Sequence, residues 1–329
     1  MRLSAPEFWQ RDGVLPALLA PLGWGFGAAG ALRRRVARPL APGVPVICVG
    51  NLVLGGAGKT PIAIDLAVRL TGMGAHPHLL TRGYGGTLAG PTRVDPKRHG
   101  AREVGDEPLL LARAAPTWVA RERRLSAKAA VAAGARTLVL DDGFQNPGLA
   151  QDLRLLVVDG RLGFGNRRVL PAGPLREPLG PGLARADAVV LMGEDERNLA
   201  SLLAGKTMLR ARLIPRPGAP SLRGSEVAAF AGIGDPGKFF AFLEAQGARV
   251  MLSRRFPDHQ PYDEAMLAPL LAEAARRRLP VIATEKDLVR VPPALRSEIT
   301  GFPVGVEWAD EAALLSLISA IAERARLNG

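Results

Sequence analysis

Val46-Ile47-Cys48-Val49-Gly50-Asn51-Leu52-Val53-Leu54-Gly55-Gly56-Ala57-Gly58-Lys59-Thr60 is the stretch that decides the fold. Its first four residues are a short apolar run, read as a fully buried strand. Residues 50–58 read as a loop, and an amphipathic helix is expected over 59–71, ended by Gly72 and Gly74. Strand, glycine loop, Lys-Thr and helix together have a mechanism. Glycines let backbone N–H groups close around phosphate oxygens, and the helix N-terminus adds partial positive charge; Lys59 reaches the outer phosphates and the Thr60 hydroxyl is a Mg²⁺ ligand. The glycine spacing is irregular, because Val53 stands where the usual pattern has glycine. A glycine-rich turn with an incidental Lys-Thr is the competing reading. The nucleotide contacts are assigned to Val53, Leu54, Gly55, Gly56, Ala57, Gly58, Lys59 and Thr60.

Downstream, apolar runs at 78–81, 117–120, 137–140, 153–158 and 188–192 read as strands, with a helical pattern over 121–133. Strands alternating with helices imply a doubly wound, mostly parallel α/β sheet carrying the phosphate loop. Arg216-Pro217-Gly218-Ala219-Pro220 reads as a linker. A second, smaller α/β unit follows, with strands at 227–231, 250–253 and 281–284 and helices over 236–246, 262–278 and 311–326. The expected division is an apolar helix with a basic flank over 1–40, a kinase-like nucleotide domain over 41–220 and the smaller domain over 221–329. A chain of 329 residues is long enough for that.

Upstream, residues 13–32 carry no charge, and Arg33, Arg34, Arg35 and Arg38 follow. The length is that of a membrane span, but Pro16, Pro21 and several glycines interrupt it. Trp9, Trp24 and Phe26 suit a bilayer interface, and the arginines suit anionic headgroups. A helix lying in the membrane surface is the favoured reading; a packed surface helix, a true span and a signal peptide are the alternatives. Glu7 and Asp12 before the apolar stretch disfavour a signal peptide.

The chain has 43 Lys+Arg against 31 Asp+Glu, a formal charge of +12, which points to an anionic partner unless it is compositional bias. With two Tyr and no basic run interleaved with aromatics, nucleic acid is not expected as a partner. The single cysteine, Cys48, excludes an internal disulfide and a CxxC metal site, and it reads as a small buried apolar residue.

A phosphate loop needs a second acidic anchor for Mg²⁺ at the end of a neighbouring strand. The segment 137–142 supplies an apolar run ending in Asp141-Asp142. A turn-capping pair is the other reading. Asp106-Glu107, after Gly105, is a candidate base near an acceptor hydroxyl, although such a pair also caps helices. His259 lies in a polar loop, where a histidine is most often solvated. The loops at 81–86 and 164–178 bring Arg82 and Arg176, either to hold phosphate or as ordinary surface arginines.

Several motifs occur in a fixed order. They are Val-Gly-Asn-Leu with Gly-Gly-Ala-Gly-Lys-Thr-Pro (49–61), Arg-Gly-Tyr-Gly-Gly (82–86), Gly-Asp-Glu-Pro (105–108) and Asp-Asp-Gly-Phe-Gln (141–145). Leu-Pro-Ala-Gly-Pro-Leu-Arg-Glu (170–177), Ala-Gly-Ile-Gly (231–234), Asp-His-Gln (258–260) and Thr-Glu-Lys-Asp (284–287) follow. The set resembles the tetraacyldisaccharide 4'-kinases of lipid A biosynthesis over nearly the whole chain. The resemblance implies that ATP phosphorylates the 4'-hydroxyl of an acylated disaccharide 1-phosphate to give lipid IVA, with Mg²⁺. It also implies a peripheral or monotopic enzyme at the cytoplasmic face of the bacterial inner membrane. It makes Asp106 the base, assisted by His259, and Lys59 a catalytic contact. Glu107, Asp141 and Asp142 are implied around Mg²⁺ and the phosphates, with Gln145, Tyr84, Arg82 and Arg176 near nucleotide or substrate. A monomer is expected. One departure stands out: Asn146 follows Gln145 where the family pattern has histidine.

Two other function classes compete. A membrane-associated switch ATPase of the partitioning type shares the loop and an amphipathic segment, but carries a lysine where this chain has Leu54. A soluble kinase for a small metabolite leaves the N-terminal apolar stretch unexplained.

Overall fold

The computed structural model describes residues 6–327. The strands are β1 (Val46–Gly50), β2 (Pro77–Thr81), β3 (Thr92–Arg93), β4 (Thr117–Val119), β5 (Thr137–Asp141), β6 (Leu153–Asp159), β7 (Ala188–Met192), β8 (Thr207–Pro215), β9 (Glu226–Ala231), β10 (Arg249–Arg255), β11 (Val281–Thr284), β12 (Ile299–Phe302) and β13 (Val304–Trp308). The helices are α1 (Val14–Val36), α2 (Lys59–Gly72), α3 (Ala101–Val104), α4 (Asp106–Leu111), α5 (Arg123–Ala132), α6 (Leu179–Arg185), α7 (Leu199–Leu202), α8 (Pro236–Ala245), α9 (Glu264–Arg276), α10 (Glu285–Leu288) and α11 (Glu311–Leu327).

Among the described residues, a nine-stranded sheet runs β13-β8-β7-β6-β1-β5-β2-β4-β3, and a four-stranded parallel sheet runs β10-β9-β11-β12. The large sheet is parallel except at its edges, where β13 and β3 are antiparallel. Every residue of β1, β2, β5 and β7 is buried, as expected of strands covered on both faces. The twofold alternation of side chains sends Ile47 and Val49 to one face with α2, and Val46 and Cys48 to the other with Ala127 and Ala130 of α5. On α2 the apolar stripe Ile62, Ala63, Leu66, Ala67 and Leu70 is buried at helical spacing. The Cys48 thiol is pushed up to about 12 by burial, which makes it an inert packing group.

The sequence division at 220–221 meets a chain that crosses back. The smaller sheet begins after the linker, but β13 pairs with β8 from Val304↔Pro215 to Trp308↔Ala211. Leu314, Ile318, Ile321, Ala322 and Ala325 of α11 then join the α2 side of the large core. The physical reason is that α11 carries an apolar stripe, and the face of the large sheet beside α2 is where it is buried. Trp308 Nε1 donates to Asp65 Oδ2 of α2 at 2.8 Å, pinning the return. Residues 304–327 therefore belong to the large sheet, not to the smaller unit over 221–329. Strands β3, β8, β12 and β13 are not among those the sequence predicts. In β8 buried Leu209 and Ala211 alternate with exposed Arg210 and Arg212, a period-two signal that the arginines obscure.

The N-terminal segment is one helix, α1, long and apolar enough by length and composition to cross a membrane. It docks on the body by Pro16, Ala20, Gly23 and Gly27, a narrow stripe of small residues. A Cβ on Gly23 would stand 2.7 Å from the Val169 carbonyl oxygen, so glycine is what allows the helix to lie this close. Leu18, Leu22, Trp24, Phe26 and Leu32 face away and are more than half exposed.

Candidate active site

The phosphate side is built by two adjacent strands. β1 and β5 pair in register, Val49 opposite Asp141, so the loop after β1 and the acids after β5 emerge together at the strands' C-terminal ends. Gly58 caps α2 with φ +85°, a left-handed conformation that a side chain would resist. Leu54, Gly55 and Gly56 are exposed, Ala57 is buried, and Val53 bridges to Leu175. The Thr60 hydroxyl donates to Asp141 Oδ2 at 3.1 Å. Lys59 Nζ lies 3.6 Å from Asp142 Oδ1, and Arg176 Nη1 donates to both Asp142 oxygens at 2.9 and 3.0 Å. Asp142 is itself left-handed, φ +54°, which for a residue with a side chain costs about 1 kcal/mol or more. Buried Arg123 holds that turn, donating from Nη2 to the Asp141 and Asp142 carbonyl oxygens at 3.1 and 3.0 Å.

The electrostatics follow from this packing. Burial, then the charge of Asp142, raises the Asp141 carboxyl to about 6. Burial pushes Asp142 the same way, but Lys59 and Arg176 overcome it and the net shift is downward. Burial lowers the Lys59 ammonium despite Asp142 beside it. Asp141 Oδ1 is buried and has no hydrogen-bond partner. An orphaned carboxylate oxygen beside a threonine hydroxyl, next to a phosphate loop, is a hard-oxygen donor set that fits Mg²⁺.

The group expected at the acceptor joins the two sheets. Asp106, the first residue of α4, is buried, and His259, from the loop after β10, contacts it through Nδ1 at 3.0 and 3.1 Å from Oδ2 and Oδ1. Burial alone would raise Asp106. The His259 hydrogen bond, its bond with Glu107 and the Lys286 charge reverse that and hold it well below the carboxylate range. Glu107 is raised to about 7, by burial first and then by Asp106. The tyrosine of the 82–86 motif, Tyr84, lies with its ring 5.3 Å from the His259 ring. His259 also has a left-handed backbone, φ +56°, and its N–H donates to Gly232 O at 3.2 Å. The Ala-Gly-Ile-Gly segment reaches the phosphate loop, since a Cβ on Gly234 would stand 3.6 Å from Gly56 N.

The structure thus gathers Lys59, Thr60, Asp141, Asp142 and Arg176 in one group and Asp106, Glu107, His259 and Tyr84 in another. Glu107 stands with Asp106 and Lys286 rather than beside Asp141. Arg82 is exposed. Gln145 Nε2 donates to Asn51 O at 2.8 Å and to Glu177 Oε1 at 3.1 Å. Asn146, the residue at the departure, closes its own turn by accepting from Gly148 N at 2.7 Å.

Sequence reasoning assigned no role to several groups. Glu177 is buried and paired with Arg34 at the end of α1 (3.1 Å) and Arg185 (2.8 Å), linking the apolar helix to Gln145. Arg123, Lys286, Asp287 and Arg290 were likewise unassigned.

Three comparisons bear on this site. A model of the tetraacyldisaccharide-1-P 4'-kinase family matches residues 15–323. The tetraacyldisaccharide 4'-kinase of Rhodospirillum centenum is 54% identical over 324 residues, covering 96% of this chain and 96% of that protein. That of Paramagnetospirillum magneticum is 51% identical over 325 residues, covering 98% and 100%. A crystal structure of an "apo" form LpxK from Aquifex aeolicus in complex with ATP is similar with a TM-score of 0.76 and 28% identity, over 94% of this chain and 99% of that one.

Proposed function

The chain belongs to the tetraacyldisaccharide-1-P 4'-kinase family, and from that premise we propose how its residues divide the work. The reaction is ATP-dependent phosphorylation of the 4'-hydroxyl of a tetraacyldisaccharide 1-phosphate, giving lipid IVA. The 4'-oxygen attacks the γ-phosphorus, the bond from phosphorus to the β–γ bridging oxygen breaks, and ADP leaves. The acceptor's proton passes to the Asp106 carboxylate.

The single observation that carries this assignment is the Asp106–His259 contact at 3.0 Å. Nδ1 donates to the carboxylate, so His259 orients Asp106 and keeps it ionised. A carboxylate held this low is a weak base, which suits a loose phosphoryl transition state in which orientation of the nucleophile matters more than early proton removal. Lys59 and the backbone N–H groups of residues 55–60 hold the β- and γ-phosphates, and Arg176 is the further cation at that mouth. Thr60 and Asp141 would hold Mg²⁺, with Asp142 beside it, and the ion would neutralise charge on the phosphates.

The exposed apolar face of α1, with Arg33, Arg34 and Arg35 at its end, supports a helix lying in the bilayer surface at the cytoplasmic face, where the lipid acceptor resides.

The test is transfer of label from γ-labelled ATP to the acylated disaccharide phosphate in detergent micelles. Asp106→Ala should lose about 1000-fold in transfer while still binding ATP. Near-normal transfer by Asp106→Ala would remove it as the acceptor-side base.

A further inference from the structure

The transfer derived above leaves Thr284-Glu285-Lys286-Asp287 without a task, although this segment stands against the acceptor acids. Asp287 is fully buried, and it accepts hydrogen bonds from Gly232 N (2.8 Å), Tyr262 Oη (2.6 Å), Thr284 Oγ1 (2.6 Å) and Arg290 Nη2 (2.6 Å). Four donors on one carboxylate fix the start of α10. The next residue back, Lys286, is thereby aimed across the cleft between the sheets. Its Nζ lies 2.7 Å from Glu107 Oε1, 3.4 Å from His259 Nε2, 3.7 Å from Asp258 Oδ1 and 3.9 Å from Asp106 Oδ2.

Asp106, Glu107 and His259 offer ligand atoms within 4.8 Å of one another, a spacing that suits a divalent ion. The ammonium of Lys286 lies within 3.9 Å of all three. Two carboxylates and Asp258 close together repel unless a cation lies among them. Arg290 is a weaker candidate for that task. Its Nε is 3.5 Å from Asp106 Oδ2, but its other nitrogens are spent on Asp287, Gly232 O and Gln260 O.

We propose that Lys286 is a positioning residue, the built-in cation of the acceptor side. It holds Glu107 and His259 in register with Asp106, in the space that a second divalent ion would otherwise fill. The proposal rests on the reading of Asp106 as the acceptor-side base. An ammonium anchored through Asp287 is always present and needs no ion capture. It also ties the smaller sheet to α4 of the large one.

The test uses the full chain with Lys286→Met and Lys286→Arg. Lys286→Met should lose about 100-fold in kcat, the effect of misplacing a reacting group by about an ångström, with the KM for ATP within about threefold of wild type. Lys286→Arg keeps the charge and should stay within about tenfold of wild type. Electron paramagnetic resonance of Mn²⁺ without nucleotide should find an additional bound ion in Lys286→Met, and Glu107→Gln in that background should abolish it. Wild-type kcat in Lys286→Met, an equal loss in both variants, or an unchanged Mn²⁺ stoichiometry each overturns the proposal. The Mn²⁺ measurement does not depend on turnover. Failure of the base assignment is read separately, as an active Asp106→Ala protein.

Discussion

The phosphate side and the acceptor side of this cleft are built by opposite strategies. On the phosphate side, β1 and β5 are hydrogen-bonded neighbours in one sheet, and the loop, Thr60 and Asp141 are fixed by their register. On the acceptor side, Asp106 starts a helix of the large sheet's half, whereas His259 and Lys286 come from the smaller sheet, and Asp106 and His259 are 153 residues apart. Backbone geometry places the first; ion pairs and hydrogen bonds between side chains place the second. A perturbation of the phosphate side should therefore remove all chemistry on ATP. A perturbation of the acceptor side should spare ATP binding and cost transfer.

The strongest attempt to break that comparison is Lys59→Met. In the proposed reading Lys59 holds the outer phosphates, and its side chain is mostly buried. Its loss should cost about 1000-fold in kcat/KM, or about 4 kcal/mol of transition-state stabilisation. Transfer to the lipid and any background ATP hydrolysis should fall together. If hydrolysis survives while transfer is lost, Lys59 acts on the acceptor and the two sides are not separable as described.

A pH profile sharpens the comparison with a smaller effect. Asp141 titrates at about 6 because it is buried beside Asp142, whereas Asp106 is held far below that. In the proposed reading both are deprotonated when they work, so a limb near 6 belongs to Asp141 on the phosphate side, separate from any limb near 7 that Glu107 adds on the acceptor side. Activity should fall about tenfold per unit as pH drops below about 6. With Asp141 as the proposed Mg²⁺ ligand, a proton and the ion compete for one carboxylate, and raising Mg²⁺ should move the limb to lower pH. A limb that stays put as Mg²⁺ rises would assign it to the acceptor side and reverse the comparison.

The same contrast explains what was legible in the sequence. The phosphate side could be read from residues 46–60 because strand, loop and helix are contiguous and each has a local signature. Asp141 and Asp142 followed because an apolar run ending in acids is also local. The acceptor side was not legible in that way. Asp106 has the spacing of a helix cap and His259 that of a solvated loop residue, and only the ordered motif set raised them. Lys286 and Glu177 lie inside two of those motifs, but their roles were not legible there, since their meaning lies in what they touch across the fold. The return of β13 and α11 to the large sheet was hidden for the same reason. Amphipathicity in α11 shows that it needs a partner, not which sheet supplies it.

The smallest effect expected concerns α1, and it separates the two sides once more. Trp24 is 73% exposed at the flank of the small-residue stripe, so the fold gains little from it. If the exposed face lies in the bilayer, Trp24→Ser removes about 1 kcal/mol of apolar transfer and should weaken sedimentation with anionic vesicles about fivefold. The apparent KM for the lipid acceptor presented in those vesicles should rise by a similar factor. The KM for ATP should not move, because α1 reaches the phosphate side through Arg34, Glu177 and Gln145 and through Val169, Leu175 and Val53, all of which this change leaves intact. Gly23→Leu is the contrasting variant. It forces α1 off Val169, disturbs that chain of contacts and should alter both KM values. Unchanged vesicle binding in Trp24→Ser would mean that the exposed face of α1 meets something other than the membrane, and the acceptor would then have to reach Asp106 by another route.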